Sequence, residues 1–444
     1  MPAAPSPFDY RDYRAFWAAR LASTIGSTML VVVIGIHVYD IARASGMSIQ
    51  RASFWLGMVG LAQFLPLFLL TLVAGYVADR IDRRWIVRAS LTLELACAAI
   101  LAALVWFDAM SLGPLFAVAV ALGIGRAFAG PALASFAPNL VPKELLPSAI
   151  ALNSIAWQSG AVAGPLLGGG AYAISVALPY ELSVVLFAIA VGAMLIIRPI
   201  PRGNAGDSHP LRAVIEGLAY VRDNKIVLGA ITLDLFAVLL GGATAMLPVY
   251  ARDILHVGSE GLGALRAAPS VGAALTALVL ARRPLKRRVG TKMFVCVGIF
   301  GLATVVFGES RVMWLSLASL FVLGAADMIS VYVRSSLIQL HTPDAMRGRV
   351  SAVSGLFISA SNELGEFRAG LAGAVFGPVV AVVGGGALAV AVTGICALAF
   401  PSLRRADRFV APDEAILSEQ PGKDVPQVEI PAMVAGLNTK AEKG

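Results

Sequence analysis

Charge is scarce in this chain. Only 14% of its 444 residues are Asp, Glu, Lys or Arg, against about 25% in an ordinary soluble domain. Apolar residues make up 58%, and the mean hydropathy is +0.80. A water-soluble fold of that composition would expose large apolar patches, so a soluble enzyme is excluded. Cysteine is scarcer still. Cys97, Cys296 and Cys396 each sit inside an apolar run, where a thiol behaves as a small hydrophobe, and a disulfide scaffold is excluded. The four histidines, His37, His209, His256 and His341, have no metal-ligand spacing, and no G-x-x-x-x-G-K-[ST] loop is present. No metal, no cofactor and no ATP-driven step is expected. The 44 glycines follow no three-residue period, which excludes collagen, and the apolar content excludes disorder.

What the chain has instead is long apolar runs. A membrane-spanning helix needs about 20 mostly apolar residues. Twelve such runs lie at 15–41, 53–78, 85–107, 112–136, 148–173, 179–198, 226–250, 259–281, 291–308, 312–336, 349–374 and 379–400. Those at 15–41 and 349–374 carry the most polar groups. The expected fold class is an all-α integral membrane protein, with twelve transmembrane helices in two six-helix pseudo-symmetric halves. The first 14 residues are polar and lack the pattern of a cleavable signal, so the first helix is expected to act as its own insertion signal.

The net charge of +8 is placed between the runs and not along one helix face. That distribution orients membrane proteins and argues against a nucleic-acid partner. Even-numbered loops hold Arg80, Arg83, Arg84, Lys143, Arg198, Arg202, Arg212, Arg222, Lys225, the cluster from Arg282 to Lys292, Arg347 and Arg349. Odd-numbered loops hold only Arg43, Arg51, Arg252 and Arg311, an imbalance of about four to one. Both termini are therefore expected in the cytoplasm.

Four segments follow. Residues 1–198 read as the N-terminal half and 226–402 as the C-terminal half. Residues 199–225 read as a cytoplasmic linker, and 403–444 as a disordered cytoplasmic tail. Within the linker, Ser208 and Pro210 can start a helix, and Leu211, Val214, Ile215, Leu218 and Val221 recur at helical spacing. This segment is expected to lie as an amphipathic helix on the membrane surface. The halves also repeat. At an offset of 201, residues 122–170 fall on 323–371, matching Leu122-Gly123 to Leu323-Gly324, Gly164 to Gly365 and Gly169 to Gly370. Such parallel repeats place a substrate site near the midplane between the halves.

Three motifs stand out. Gly75-Tyr76-Val77-Ala78-Asp79-Arg80-Ile81-Asp82-Arg83-Arg84 joins the second and third runs. Gly75 permits close helix approach, and Asp79 can accept from Arg groups or a helix N-terminus to hold a gate shut. In the fourth run, Arg126 lies within Leu122-x-x-x-Arg126-x-x-x-Gly130. A buried Arg is costly there and marks a functional site or a specific pair. In the fifth run, Gly160-Ala161-Val162-Ala163-Gly164-Pro165-Leu166-Leu167-Gly168-Gly169 sets glycines four apart, so a neighbouring helix can pack closely. Pro165 removes one backbone hydrogen bond.

Polar residues within the runs are Arg20, Gln63, Glu94, Arg126, Gln158, Asp234, Arg266, Asp327, Asn362, Glu363, Glu366 and Arg368. Each should face the bundle interior or a wet cavity. Carboxyl groups in such surroundings can exchange protons near neutral pH. Asp234 and Asp327 are the first candidates for proton carriers. Glu363 and Glu366 are further candidates, with Arg368 close enough in sequence to pair with either. Trp17, Tyr39, Phe54, Trp55, Trp106, Phe107 and Trp314 fall near run ends, as in an interfacial belt. Trp157 and Phe357 lie deeper.

These motifs resemble those of the major facilitator superfamily over about residues 10–402. The first resembles its G-x-x-x-D-R-x-x-R-R/K signature, with Asp82 where Gly is common. The second resembles L-x-x-x-R-x-x-Q-G of proton-driven drug exporters, with Ala129 in place of Gln. The third matches the antiporter signature G-x-x-x-G-P-x-x-G-G at every defined position. His209-Pro210-Leu211-Arg212, the stretch Thr342 to Arg349, and Asn362-Glu363-Leu364-Gly365-Glu366 resemble the enterobactin-exporter group of the 12-span drug:proton antiporter branch. The resemblance implies a monomeric multi-pass carrier of the bacterial inner membrane, exporting amphipathic small molecules such as siderophores or drugs against protons. It implies that Gly75, Asp79, Arg80, Arg83 and Arg84 form a cytoplasmic gate, that Arg126 assists proton transfer, and that Gly160, Gly164, Pro165, Gly168 and Gly169 form an antiporter helix. A symporter or uniporter of the same fold, or a membrane sensor, are the alternatives. The charge asymmetry predicts that reporter domains fused after residues 203 and 288 are active in the cytoplasm, whereas one fused after residue 46 is active outside. Inversion of that pattern would refute the orientation.

Overall fold

The computed structural model describes residues 6–134, 136, 140–198, 210–285 and 287–407. Six long helices come first: α1 Arg11–Ala44, α2 Ile49–Arg80, α3 Arg83–Trp106, α4 Leu112–Ala134, α5 Leu146–Ile174 and α6 Leu178–Ile196. A shorter helix, α7 Pro210–Asp223, precedes the second set. That set is α8 Lys225–Gly241, the single turn α9 Leu247–Val249, then α10 Gly258–Arg282, α11 Val289–Glu309, α12 Met313–Leu340, α13 Asp344–Phe376 and α14 Pro378–Ala399, with α15 Pro401–Arg404 as a last turn. No strand occurs among the described residues.

Local chemistry sets the helix starts. Ser48 accepts from the Arg51 N–H, Asp82 from the Arg84 N–H, and Asn224 from the N–H groups of Ile226 and Val227. Each satisfies donors that a helix start leaves unpaired. Gly377 makes the turn into α14 at φ +87°, a conformation that favours glycine.

Ten helical segments among the described residues are long and apolar enough to cross a membrane. The expected twelve include two more, α5 and α13, of 29 and 33 residues. They have the length but not the hydropathy, because α5 is diluted by glycine and amides and α13 by ionic groups. The runs at 15–41 and 349–374 were both expected to be the polar ones. The run at 15–41 meets both criteria.

The seventh run does not form one helix. Helix α8 stops at Gly241, a 3-10 turn follows at Thr244–Met246, then α9, then a π-helical turn at Tyr250–Ile254. Pro248 has no N–H to continue the ladder. A Cβ on Gly242 would lie 3.0 Å from the Gly365 carbonyl oxygen, so glycine admits α13 against the break.

Two large apolar cores form. One joins α1, α3, α4, α5 and α6 through residues such as Tyr13, Phe16, Leu91, Phe136 and Phe187. The other joins the far part of α1 and the start of α2 to the second set, through Val32, Tyr39, Leu56, Met246, Leu265 and Phe307. This second core lies at the end of the bundle that carries the odd-numbered loops. There the two sets cross backbone to backbone. A Cβ on Gly57 in α2 would lie 2.8 Å from the Cα of Gly370 in α13. A Cβ on Gly169 in α5 would lie 2.8 Å from the Cα of Gly263 in α10.

Helix α7 packs Val214 and Val221 against Val350, Val353 and Ile338. Arg349 donates to Glu216 at 2.5 Å, and Tyr220 donates to the His341 carbonyl. The helix is thus docked on α13 and the end of α12, with Ile215 and Leu218 left exposed on its other side. Ser208 and residues 199–209 lie outside the described residues. Past α14 the chain still belongs to the bundle: the N–H groups of Val289 and Gly290 donate to the carbonyls of Asp407 and Ala406. The start of α11 uses those acceptors, so residues 403–407, expected as part of a tail, pack with the bundle; residues from 408 lie outside the described residues.

The crossings predict a large contrast between glycines. Gly57→Ala should cost about 1–3 kcal/mol of stability, because its neighbours are backbone atoms that cannot turn aside. Gly192→Ala, with nothing within 4 Å, should change stability by less than about 0.5 kcal/mol. Thermal unfolding in detergent reads both.

Candidate functional site

The ionic groups of the helices gather in four places. The first is central and crosses between the two sets. Arg126 of α4 donates to the Gln63 amide oxygen of α2 at 2.9 Å and lies 3.3 Å from a carboxylate oxygen of Glu363 in α13. Its side chain is 41% exposed. An arginine that deep can be exposed only to a water-filled space, since lipid would exact a large penalty. One turn further along α13, Glu366 lies 3.4 Å from Arg266 of α10 and accepts from the Thr244 hydroxyl at 3.2 Å. Gln63, Thr244, Arg266 and Glu366 line a void of about 30 Å³ roofed by Val32, Leu56 and Pro248.

The second place lies within the C-terminal set. Asp234 of α8 forms a buried ion pair with Arg334 of α12. Asp327 and Ser330 lie on the same face of α12 and line a void of about 10 Å³ with Asp234, Val297 and Phe300. That is about the room of one water. The Ser330 hydroxyl is buried without a protein partner.

The third lies within the N-terminal set. Glu94 of α3 accepts from the Ser27 hydroxyl at 3.3 Å, and the Arg20 guanidinium sits 5.0 Å above the Trp157 ring. The fourth sits at the odd-loop end, between the last turns of α1 and the π turn after α9. Arg252 pairs with Asp40, and Arg43 lies 3.4 Å from Asp253. Tyr39 donates to Asp253 at 2.5 Å, and Tyr172 of α5 donates to Asp40 at 3.0 Å. These groups tie the two sets together beside the glycine crossings.

The glycine-rich segment of α5 serves two contacts. A Cβ on Gly160 would lie 2.7 Å from the Thr24 Cβ, and one on Gly164 would lie 2.8 Å from the Ile25 carbonyl oxygen, so α5 seats on α1 through these glycines and Gly168. Thr28 donates to the Gly160 carbonyl at 3.0 Å. On the other side, Gly169 and the Pro165 carbonyl face Gly263 of α10.

The profile of the transmembrane secretion effector family, a branch of the major facilitator superfamily, matches residues 3–422. The chain belongs to this family. It is 26% identical over 376 residues to an enterobactin exporter of Citrobacter koseri, covering 83% of this chain and 86% of that protein. Over 383 residues it is 25% identical to an enterobactin exporter of Shigella boydii, with the same shares covered. Among solved structures, a transporter of the POT family superposes with TM-score 0.72 at 12% identity, over 89% of this chain and 99% of that one. A D-xylose–proton symporter superposes with TM-score 0.67 at 14% identity, over 87% and 97%. Identities this low carry the fold alone. The protein is therefore a multi-pass membrane transporter of the major facilitator fold, not an enzyme.

Sequence reasoning and this facilitator structure differ in their pairings. Arg126, for which the sequence named no partner, meets Gln63 and Glu363. Arg368, expected beside Glu363 or Glu366, instead donates to the Leu239 carbonyl at 2.9 Å. One turn separates Glu363 from Glu366, and each meets a different cation from a different helix. Of the expected gate, the side chains of Gly75, Asp79 and Arg80 lie outside the described residues. Arg84 pairs with Asp82 at 2.6 Å and donates to the Ile197 carbonyl at 3.4 Å, holding the start of α3 to the end of α6. Trp157 meets Arg20, whereas Phe357 packs into the apolar contact between α7 and α13.

The odd-loop latch and Arg334 were missed. The latch had a signal: Tyr39-Asp40 with Arg43 ends the first helix of one half, and Tyr250 with Arg252-Asp253 ends the first helix of the other. Pseudo-symmetry brings those ends together.

The buried pair yields a stability test. Arg334→Met leaves the buried Asp234 carboxylate without its cation and should cost about 3–5 kcal/mol. Adding Asp234→Leu should recover at least half of that loss in thermal unfolding.

Proposed function

We propose that this protein is a proton-coupled exporter of amphipathic small molecules, working by alternating access. The relatives' name makes an enterobactin-type siderophore the first cargo to test. Export runs from the cytoplasm across a bacterial inner membrane, with the even-loop end and both termini inside. The carrier works as a monomer. Residues 1–198 and 226–402 rock against each other, joined by the linker 199–225, and Asp79 with Arg80, Arg83 and Arg84 serves as the cytoplasmic gate.

One observation carries this reading: the Arg126–Glu363 contact spans the two halves at the centre, with Arg126 open to water. With Glu363 ionised, the contact ties the halves while the odd-loop end is closed. A carrier in that state cannot turn outward empty, which prevents a futile proton leak. Cargo entering from the even-loop end engages Arg126 and loosens the tie. The halves then part at the odd-loop end, and Glu363 meets the outside. Protonation cancels the charge that Arg126 faced, so the tie cannot re-form until the proton leaves to the cytoplasm. Cargo and proton thus alternate on the same groups, as exchange requires. Glu366 with Arg266, and Asp327 beside the Asp234–Arg334 pair, are further positions where a proton can be held.

Reconstituted vesicles test the proposal. Wild-type protein should move cargo against an imposed proton gradient and stop when it is collapsed. Glu363→Gln should lower gradient-driven transport at least tenfold while keeping cargo-for-cargo exchange. Cargo movement that survives collapse of the gradient, or full coupling in Glu363→Gln, would overturn the reading.

A further inference from the structure

The odd-loop end contains four basic side chains in its loops and helix ends: Arg43, Arg51, Arg252 and Arg311. Three are used within the protein. Arg43 bonds Asp253 and the Met47 carbonyl, Arg252 pairs with Asp40, and Arg311 donates to the carbonyls of residues 308–310. Among the described residues, Arg51 is the one of the four whose side chain has no partner. It is exposed, in the first turn of α2.

Arg51 does not project from a bare surface. It lines a groove of about 370 Å³ with Met47, Gln50, Phe54, Trp55 and Ala374. The groove lies between the start of α2 and the end of α13 and is open on one side. Its floor is apolar and aromatic, with Phe54 and Trp55 packed edge to face at 5.9 Å. Val375 and Phe376 stand exposed next to Ala374. A helix start beside tryptophan marks the depth of the lipid headgroups. An unpaired guanidinium at that depth, over a groove of acyl-chain character, matches a phosphate-bearing amphiphile: two parallel N–H···O bonds to the phosphate, and apolar contact below. The positive end of the α2 dipole adds to the same field.

We propose that this groove binds an anionic phospholipid, with its phosphate on Arg51 and an acyl chain along Phe54, Trp55 and the end of α13. The walls belong to the two helices that cross at Gly57 and Gly370. The groove has this form only while that crossing is closed, so a lipid seated in it favours the closed odd-loop end.

Native mass spectrometry of the full-length protein, delipidated in detergent, tests the site. The probes are phosphatidylglycerol, phosphatidylethanolamine and inorganic phosphate. Wild type should hold phosphatidylglycerol about fivefold more tightly than phosphatidylethanolamine, the preference expected of one basic group near a lipid surface. Arg51→Gln should lose that preference and Arg51→Lys should keep part of it. Arg311→Gln, whose guanidinium meets only backbone, should leave it unchanged. A preference that persists in Arg51→Gln overturns the proposal. So does displacement of the lipid by inorganic phosphate at equal concentration, which would mark a free-anion site. Folding of each variant is checked by its thermal unfolding in the same detergent.

Discussion

Two backbone crossings govern this molecule. Gly57 lies on Gly370 and Gly169 on Gly263, each pair joining one half to the other at the odd-loop end. No side chain separates the helices there, so dispersion contacts act at the shortest range available, which is the main source of helix association in lipid. The two crossings are equivalent under the internal repeat, which aligns Gly169 with Gly370. A bundle held at one end by a symmetric pair of contacts can open at that end only if both release together. The ionic latch of Asp40, Arg43, Arg252 and Asp253 closes around the same end and adds geometric specificity to contacts that by themselves have little.

The ionic groups inside the bundle divide by whether they cross the halves. Asp234 and Arg334 are both in the C-terminal half, and both are buried. Rocking of one half against the other leaves that pair intact. Arg126 and Glu363 come from different halves, so any rocking must stretch or break their contact. The same distinction separates a structural ion pair from one that can report conformation. Helix α13 carries most of this burden. It supplies Glu363 and Glu366 to the centre, Gly370 to the crossing, Gly365 to the break after α8, and Arg349 to the docked helix α7. Its low hydropathy follows from these roles.

Much of the fold was readable along the chain. Apolar run length identified the helices, and the run boundaries fall within a few residues of those observed. Composition betrayed less at the break after Gly241, where a continuous apolar run conceals a Gly-Gly step and Pro248. For the site, the polar residues were identifiable because each is costly in a bilayer. Their partners were not, because repeat alignment and sequence proximity say nothing about helix rotation. Thus Arg368 was placed within reach of Glu363 or Glu366, whereas it donates to the Leu239 carbonyl. Arg334 lies at the end of its run, where an arginine passes for an interfacial residue. Its 3% exposure comes from the helices around it.

The sequence by itself determined the solvent this protein lives in, the order of its apolar runs, their duplication, and which residues are too polar to face lipid. These are one-dimensional properties: run length, spacing and composition suffice for them. Tertiary structure alone decided which charges meet across the halves, which end is closed, and which of the four odd-loop arginines is left without a partner among the described residues. Those depend on the rotation and tilt of each helix about its own axis. That choice is made by packing between surfaces distant in the chain, and local pattern does not encode it.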